Sequence, residues 1–171
     1  MIILGVDPGL SLTGWGIIAA SGSKTLSLIE YGCIRTKPSI PLTERLKTIH
    51  LTLRGLMQKH KPEVMAIEEL FFSKEAKTVA AVGQSRGAIL LAAALENLPV
   101  CEYNPRHVKI SLTGYGSADK NQIQQMVKML LRMSEIPQPD DAADALAMAI
   151  SHAHSTGSLL NQFSGYGKIR P

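Results

Sequence analysis

The sequence predicts an α/β domain built on a mixed five-stranded sheet, and three observations carry that expectation. The chain opens with an apolar run, Ile2-Ile3-Leu4-Gly5-Val6, that has no alternating polar face, as in a strand covered on both sides. Two more strand-like runs, 13–20 and 26–35, are separated by Ser21-Gly22-Ser23, which indicates a hairpin. Further apolar runs at 64–67 and 100–103 alternate with helical periodicities, the pattern of strands joined by crossover helices. The expected sheet is an antiparallel meander of three strands followed by two parallel ones, with the first and fourth strands adjacent.

Each element has its own warrant. Lys37-Pro38-Ser39 ends the meander, and from Pro41 aliphatics at Leu42, Leu46, Ile49, Leu53 and Met57 recur every three or four residues, making a helix with one buried stripe. Lys61-Pro62 closes it, and the next strand runs straight into Glu68-Glu69. Residues 74–98 are rich in alanine and carry Gly83 and Gly87 one turn apart. Each glycine costs a helix about 1 kcal/mol relative to alanine, so close approach of another backbone is the expected offset, from the chain's own sheet or from a second copy. Pro105 starts a short helix, and 114–117 form a loop whose Ser117 can cap the next helix. That helix buries Ile123, Met126, Val127, Leu130 and Leu131; Gln138-Pro139 stops it, and a last helix starts at Asp140.

Composition sets the outer bounds. A length of 171 residues suits one domain, expected over 1–155, with 156–171 as a mobile tail whose basic end can touch nucleic acid. A net charge of +4 leans toward an anionic partner. Cys33 and Cys101 lack metal-ligand spacing and read as buried, reduced thiols. No run approaches the roughly 20 apolar residues of a membrane span, and the N-terminus lacks a basic leader, so a cytoplasmic protein is expected.

The chemistry lies in the acids. Asp7 sits where the first buried strand leaves the core; it either caps the Pro8-Gly9 turn or belongs to a site. The parallel fourth strand would bring Glu68 beside it. In the last helix Asp141 and Asp144 are three residues apart and share one face. Asp140 and Asp141 suit the positive helix N-terminus, but Asp144 lies too far in for that to suffice. Four carboxylates in one pocket repel, and they would hold protons or a divalent metal. Oxygen-only donors favour magnesium or manganese, one or two ions per protomer, and such ions support phosphodiester hydrolysis without a protein nucleophile. No catalytic triad or Walker-type phosphate loop is recognisable.

The strings DPGLSLTGWG from Asp7, IEELFF from Ile67, GQSRG from Gly83, YNPRHVK from Tyr103, GYGSADK from Gly114 and DAADALAMAISHAH from Asp141 together resemble the RuvC family of Holliday junction endonucleases, in order over about residues 1–155. The resemblance implies a ribonuclease H-like fold and a homodimer. It also implies a magnesium-dependent endodeoxyribonuclease that nicks four-way junctions symmetrically to leave 5'-phosphomonoesters. Cooperation with a branch-migration helicase complex and a thymine-rich cleavage preference are implied as well. Position by position, Asp7, Glu68, Asp141 and Asp144 fall on the family's metal-binding carboxylates; some relatives carry histidine where this chain has Asp141. Lys109, Lys120 and Arg106 fall in its basic motifs and are expected to contact DNA. By family position Phe71 would stack on bases at the crossover, with Phe72 in the core. Glu69 is expected to be outer-sphere or solvent-facing, Gly83 and Gly87 are candidates for the dimer contact, and His152 and His154 are expected to be structural.

Three rivals remain at this level: an actin-like nucleotide phosphotransferase, which would need a second such domain, a ribonuclease H-like RNA-processing enzyme, and a junction-binding module without activity. The last leaves the acids unexplained, because carboxylates in a DNA-facing groove weaken phosphate binding.

Overall fold

The structure, a computed structural model, describes residues 1–21, 25–69 and 76–157. Its strands are β1 (Ile2–Asp7), β2 (Leu12–Ser21), β3 (Thr25–Arg35), β4 (Val64–Glu68) and β5 (Val100–Tyr103). Its helices are α1 (Leu42–His60), α2 (Ala76–Leu95), α3 (Pro105–Thr113), α4 (Lys120–Leu130) and α5 (Asp140–Gly157). The sheet order is β3-β2-β1-β4-β5, with β1–β2 and β2–β3 antiparallel and β1–β4 and β4–β5 parallel. The mixed five-stranded sheet expected from the sequence is therefore present. Among the described residues no helix is long and apolar enough to cross a membrane.

The two sheet faces bury separate cores, as strand periodicity requires. Leu4, Val6, Met65 and Ile67 face α1 and α2, where they meet Ile49, Leu53, Met57 and Ile89. Ile3, Val64 and Ala66 face the other way, toward Leu146, Ala149 and Ile150 of α5 and toward α3 and α4. The α5 face is unusually close. A Cβ on Gly5 would lie 1.9 Å from the Ala145 carbonyl oxygen, one on Gly14 1.9 Å from that of Asp141, and one on Gly16 2.5 Å from the Leu146 side chain. Gly5 and Gly16 are register partners across β1 and β2, so together they clear a flat seat. Opposite them the helix presents fully buried Ala142, Ala145 and Ala149.

Some details differ from expectation. In α1 the buried stripe starts later: Leu42 is exposed, whereas Arg45 is buried and donates to the Thr36 and Ser11 hydroxyls. Arg45 takes the inward position because it ties the helix to the end of β3 and to the turn after β1. Asp119, not Ser117, caps α4, because Asp119 and Gln122 form a reciprocal capping box. Cys33 and Cys101 are free as expected but half-buried rather than buried, since they sit on β3 and β5, the two edge strands of the sheet. The last helix begins at Asp140, as the Pro139 signal indicated, and runs to Gly157. Most of the anticipated tail, 158–171, lies outside the described residues, as do Gly22 and Ser23 of the hairpin turn.

Replacing Gly5 with alanine should destabilise the chain by about 3 kcal/mol, because a backbone carbonyl occupies the place of the new methyl. Gly55, on the exposed side of α1, has nothing within 4 Å of its Cβ position, so G55A should instead add up to about 1 kcal/mol. Urea midpoints of the two variants should move in opposite directions. A neutral G5A would mean that α5 is not seated on β1 as described.

Candidate active site at the carboxyl end of β1 and β4

Strand parity places the first two acids. In β1, Ile3 and Gly5 face α5, so Asp7 does too; in β4, Val64 and Ala66 face α5, so Glu68 follows. The parallel register pairs Val6 with Ile67, which sets Asp7 and Glu68 side by side as both strands end. α5, lying across this face, brings Asp144 one helical position before buried Ala145. Asp7, Glu68 and Asp144 line one cleft of about 270 Å³ with Lys109, Lys120 and residues of α3 and α4. Asp141 is not in its lining; it lies half-buried toward β2 and β3, where its charge acts on Asp7 and Cys33.

The electrostatics are those of acids crowded out of water. Burial, reinforced by the charges of Glu68, Asp144 and Asp141, pushes the Asp7 carboxyl up to about 7. Burial and Asp144 also raise Glu68, against the opposing charge of Arg86. Asp144 is raised by burial despite the neighbouring Lys120 ammonium. That ammonium lies 3.1 Å from Asp140 and 3.5 Å from Asp144. Burial alone would depress Lys120, but its bond to Asp140 and the charge of Asp144 outweigh this and raise it. The same burial and acidic neighbours push the Cys33 thiol up to about 11, so it stays protonated at neutral pH.

Among the described residues no three His, Cys, Asp or Glu side chains are drawn together into a ready metal cage. The donor set nevertheless fits a hard divalent cation. It is all oxygen, its members repel one another, and one cation, the Lys120 ammonium, already sits against Asp144. Asp140 is a participant that its place at the helix N-terminus had masked: it accepts from Gln124 at 2.8 Å and pairs with Lys120, so it holds that lysine at the cleft. Three aspartates within five residues were the available signal.

The other candidates are distributed as follows. Arg106 is exposed on α3 outside the cleft, with its stem against Gly116. Glu69 is exposed, in keeping with a solvent-facing acid. Phe71 and Phe72 lie outside the described residues. His152 is buried with its Nδ1 2.7 Å from the Tyr103 hydroxyl, and His154 Nδ1 lies 3.0 Å from the Ser111 carbonyl, so both tie α5 to its neighbours. Among the described residues nothing lies within 4 Å of the Cβ positions of Gly83 and Gly87, so tight seating on the chain's own sheet does not account for them. A groove of about 330 Å³ at the amino ends of β4 and β5 is lined by Met57, Gln58, Lys61, Pro62, Glu96 and Leu98. Its single carboxylate, Glu96, is held by Arg54 and Gln58.

Comparison with known proteins converges on one description. Residues 3–152 match the family model described as crossover junction endodeoxyribonuclease RuvC. The protein of that name from Endomicrobium trichonymphae is 59% identical over 155 residues, spanning 91% of this chain and 82% of that one. The one from Desulforamulus reducens is 53% identical over 153 residues, 90% of this chain and 93% of that one. Among solved structures, T. thermophilus RuvC in complex with a Holliday junction substrate superposes with a TM-score of 0.88 at 36% identity, covering 92% of this chain and 95% of that one. The fold is accordingly ribonuclease H-like.

The raised Asp7 has a measurable consequence without metal. An ordinary aspartate near 3.8 rises to about 7 on folding, so between about pH 4 and 7 the native chain keeps a proton that the unfolded chain releases. Stability should therefore fall as pH rises through that window, by up to about 4 kcal/mol. In EDTA the chain should melt lower at pH 8 than at pH 5, and D7N should lose most of that slope. An unchanged slope in D7N would exclude Asp7 as its source.

Proposed function

The chain belongs to the crossover junction endodeoxyribonuclease RuvC family, and on that premise we propose that Asp7, Glu68 and Asp144, with Asp141 beside them, hydrolyse phosphodiesters of a four-way DNA junction in recombination and repair. The observation that carries this reading is the convergence of β1, β4 and α5 on one acidic cleft, with Asp7 raised to about 7 by burial and by its acidic neighbours. The match across most of the chain decides against the nucleotide-phosphotransferase and RNA-processing readings.

Asp7, Glu68 and Asp144 would hold magnesium, with manganese a ready substitute and Asp141 completing the set for one or two ions. When bound, the metal supplies Lewis-acid stabilisation of charge building on the phosphate and lowers the pKa of water. The residues of the chain do the rest. Asp7, raised to about 7, would have to be deprotonated to act as a donor, which ties loading of the site to pH. Lys120, 3.5 Å from Asp144, and Lys109 across the cleft would bind phosphate oxygens of the DNA. Arg106, outside the cleft, contacts DNA at a distance from the cut. Phe71 stacks on bases opened at the crossover, and 5'-phosphomonoester ends follow as for the family. The protein acts in the cytoplasm together with a branch-migration helicase complex.

Two copies would act together. On the outer side of α2, Gly83 and Gly87 leave open space, and Leu91 and Leu95, each 54% exposed, follow at the same four-residue spacing. This small-then-apolar stripe suits close approach of a second copy, setting two clefts at a fixed separation for a roughly two-fold symmetric junction.

With a labelled four-way junction and magnesium, the native chain should give paired, symmetric, ligatable nicks. D7N should bind the junction but cut it about a thousand-fold more slowly. Equal cutting of linear duplex, or full activity of D7N, would overturn the assignment. Gly83→Leu should sediment as a monomer while melting close to the native chain, since among the described residues nothing lies within 4 Å of the Cβ position. A dimer that survives this substitution would place the contact elsewhere.

A further inference from the structure

Arg86 and Arg45 are the buried arginines among the described residues, and Arg86 is the one that meets the end of a site strand. It lies in the middle of α2 and is only 6% exposed, yet it is neither in the acidic cleft nor on the outer stripe of its helix. One end nitrogen donates to the Glu68 backbone carbonyl, and the other lies 2.8 Å from the Glu102 carboxylate on β5. A buried guanidinium is costly to desolvate, and charge-assisted bonds to both partners offset that cost. Strand parity separates the two sides of this arrangement. The Glu68 side chain faces α5, whereas Arg86 reaches the sheet from the α2 side. The guanidinium therefore touches the last peptide of β4 without entering the cleft.

That peptide is the last of β4 held in the sheet, and its sheet bond is to β5. Val6 with Ile67 is the final pair on the β1 side, and on the β5 side the ladder ends as Glu69 N–H donates to the Tyr103 carbonyl at 2.9 Å. The Glu68–Glu69 peptide is thus anchored to β5 through its N–H, while its carbonyl, beyond the last β1 pair, is taken by Arg86; the orientation of this peptide governs where the Glu68 carboxylate points. Resting on the metal reading of Glu68, we propose that Arg86 is a positioning residue that clamps the end of β4 and thereby aims the Glu68 carboxylate at the divalent cation. In doing so it acts as a support behind the ligand, of the kind whose loss weakens metal binding without removing a donor.

The test is Mn²⁺ affinity of the full chain by calorimetry, with melting followed in parallel, for R86M, R86K, E68Q and the double variant R86M/E68Q. R86M should bind Mn²⁺ about ten-fold more weakly, with junction affinity in EDTA unchanged. R86K, which keeps the charge but reaches one partner at a time, should recover part of the loss. The double variant should bind no more weakly than E68Q, because Arg86 acts through Glu68. Native-like Mn²⁺ binding by R86M, or losses that add in the double variant, would overturn the proposal. An E68Q that binds Mn²⁺ normally would overturn the metal reading of Glu68, and the proposal with it. Should R86M not fold, R86K carries the same measurement, with binding weaker than native expected and native binding fatal.

Discussion

The close seat of α5 on β1 and β2 is the constraint from which the rest of this structure follows. Gly5, Gly14 and Gly16 remove the side chains that would hold a helix at ordinary distance, and the alanines of α5 fill the narrow space that remains. At that separation a carboxylate as short as that of Asp144 reaches the ends of the strands, where Asp7 and Glu68 emerge on the same face. With ordinary side chains between helix and sheet, the acids would be layered apart and no shared cleft would form.

That geometry brings negative charges together with, among the described residues, only the Lys120 ammonium paired to one of them, so the cleft is assembled against electrostatic resistance. Burial alone raises Asp7, Glu68 and Asp144, and their mutual repulsion adds to it. The compensating charges come from outside the acid set. Lys120 leans on Asp140 and Asp144 from α4, and Arg86 supports Glu68 from behind the sheet. A site of this kind is unsatisfied in proportion to its readiness for a cation, and the apolar cores on both sheet faces supply the stability that holds it open.

The helix α2 joins two of these roles. Arg86 on its inner side touches the end of β4, and Gly87, the next residue, faces outward on the stripe with Leu91 and Leu95. A rigid helix between a candidate protomer contact and a carboxylate of the cleft gives the two a short mechanical connection.

Much of this protein was legible in its residues. The continuous apolar runs of β1 and β4 and the stops after Asp7 and Glu68 determine the strands and their exit points, because a run covered on both sides is a local property of the chain. The spacing of Asp141 and Asp144 on one helix face is local in the same sense. The tertiary structure alone decided that Asp141 lies outside the cleft lining, that Asp140 holds Lys120, that Asp119 rather than Ser117 caps α4, and that Arg86 and Arg45 are buried. Most of these depend on groups far apart in sequence meeting at distances of about 3 Å. No pattern within one segment encodes such a meeting, because its energy arises only when both elements are in place. The glycines of β1 and β2 show the boundary most plainly: their positions are written in the sequence, but the helix that needs them is more than 120 residues away.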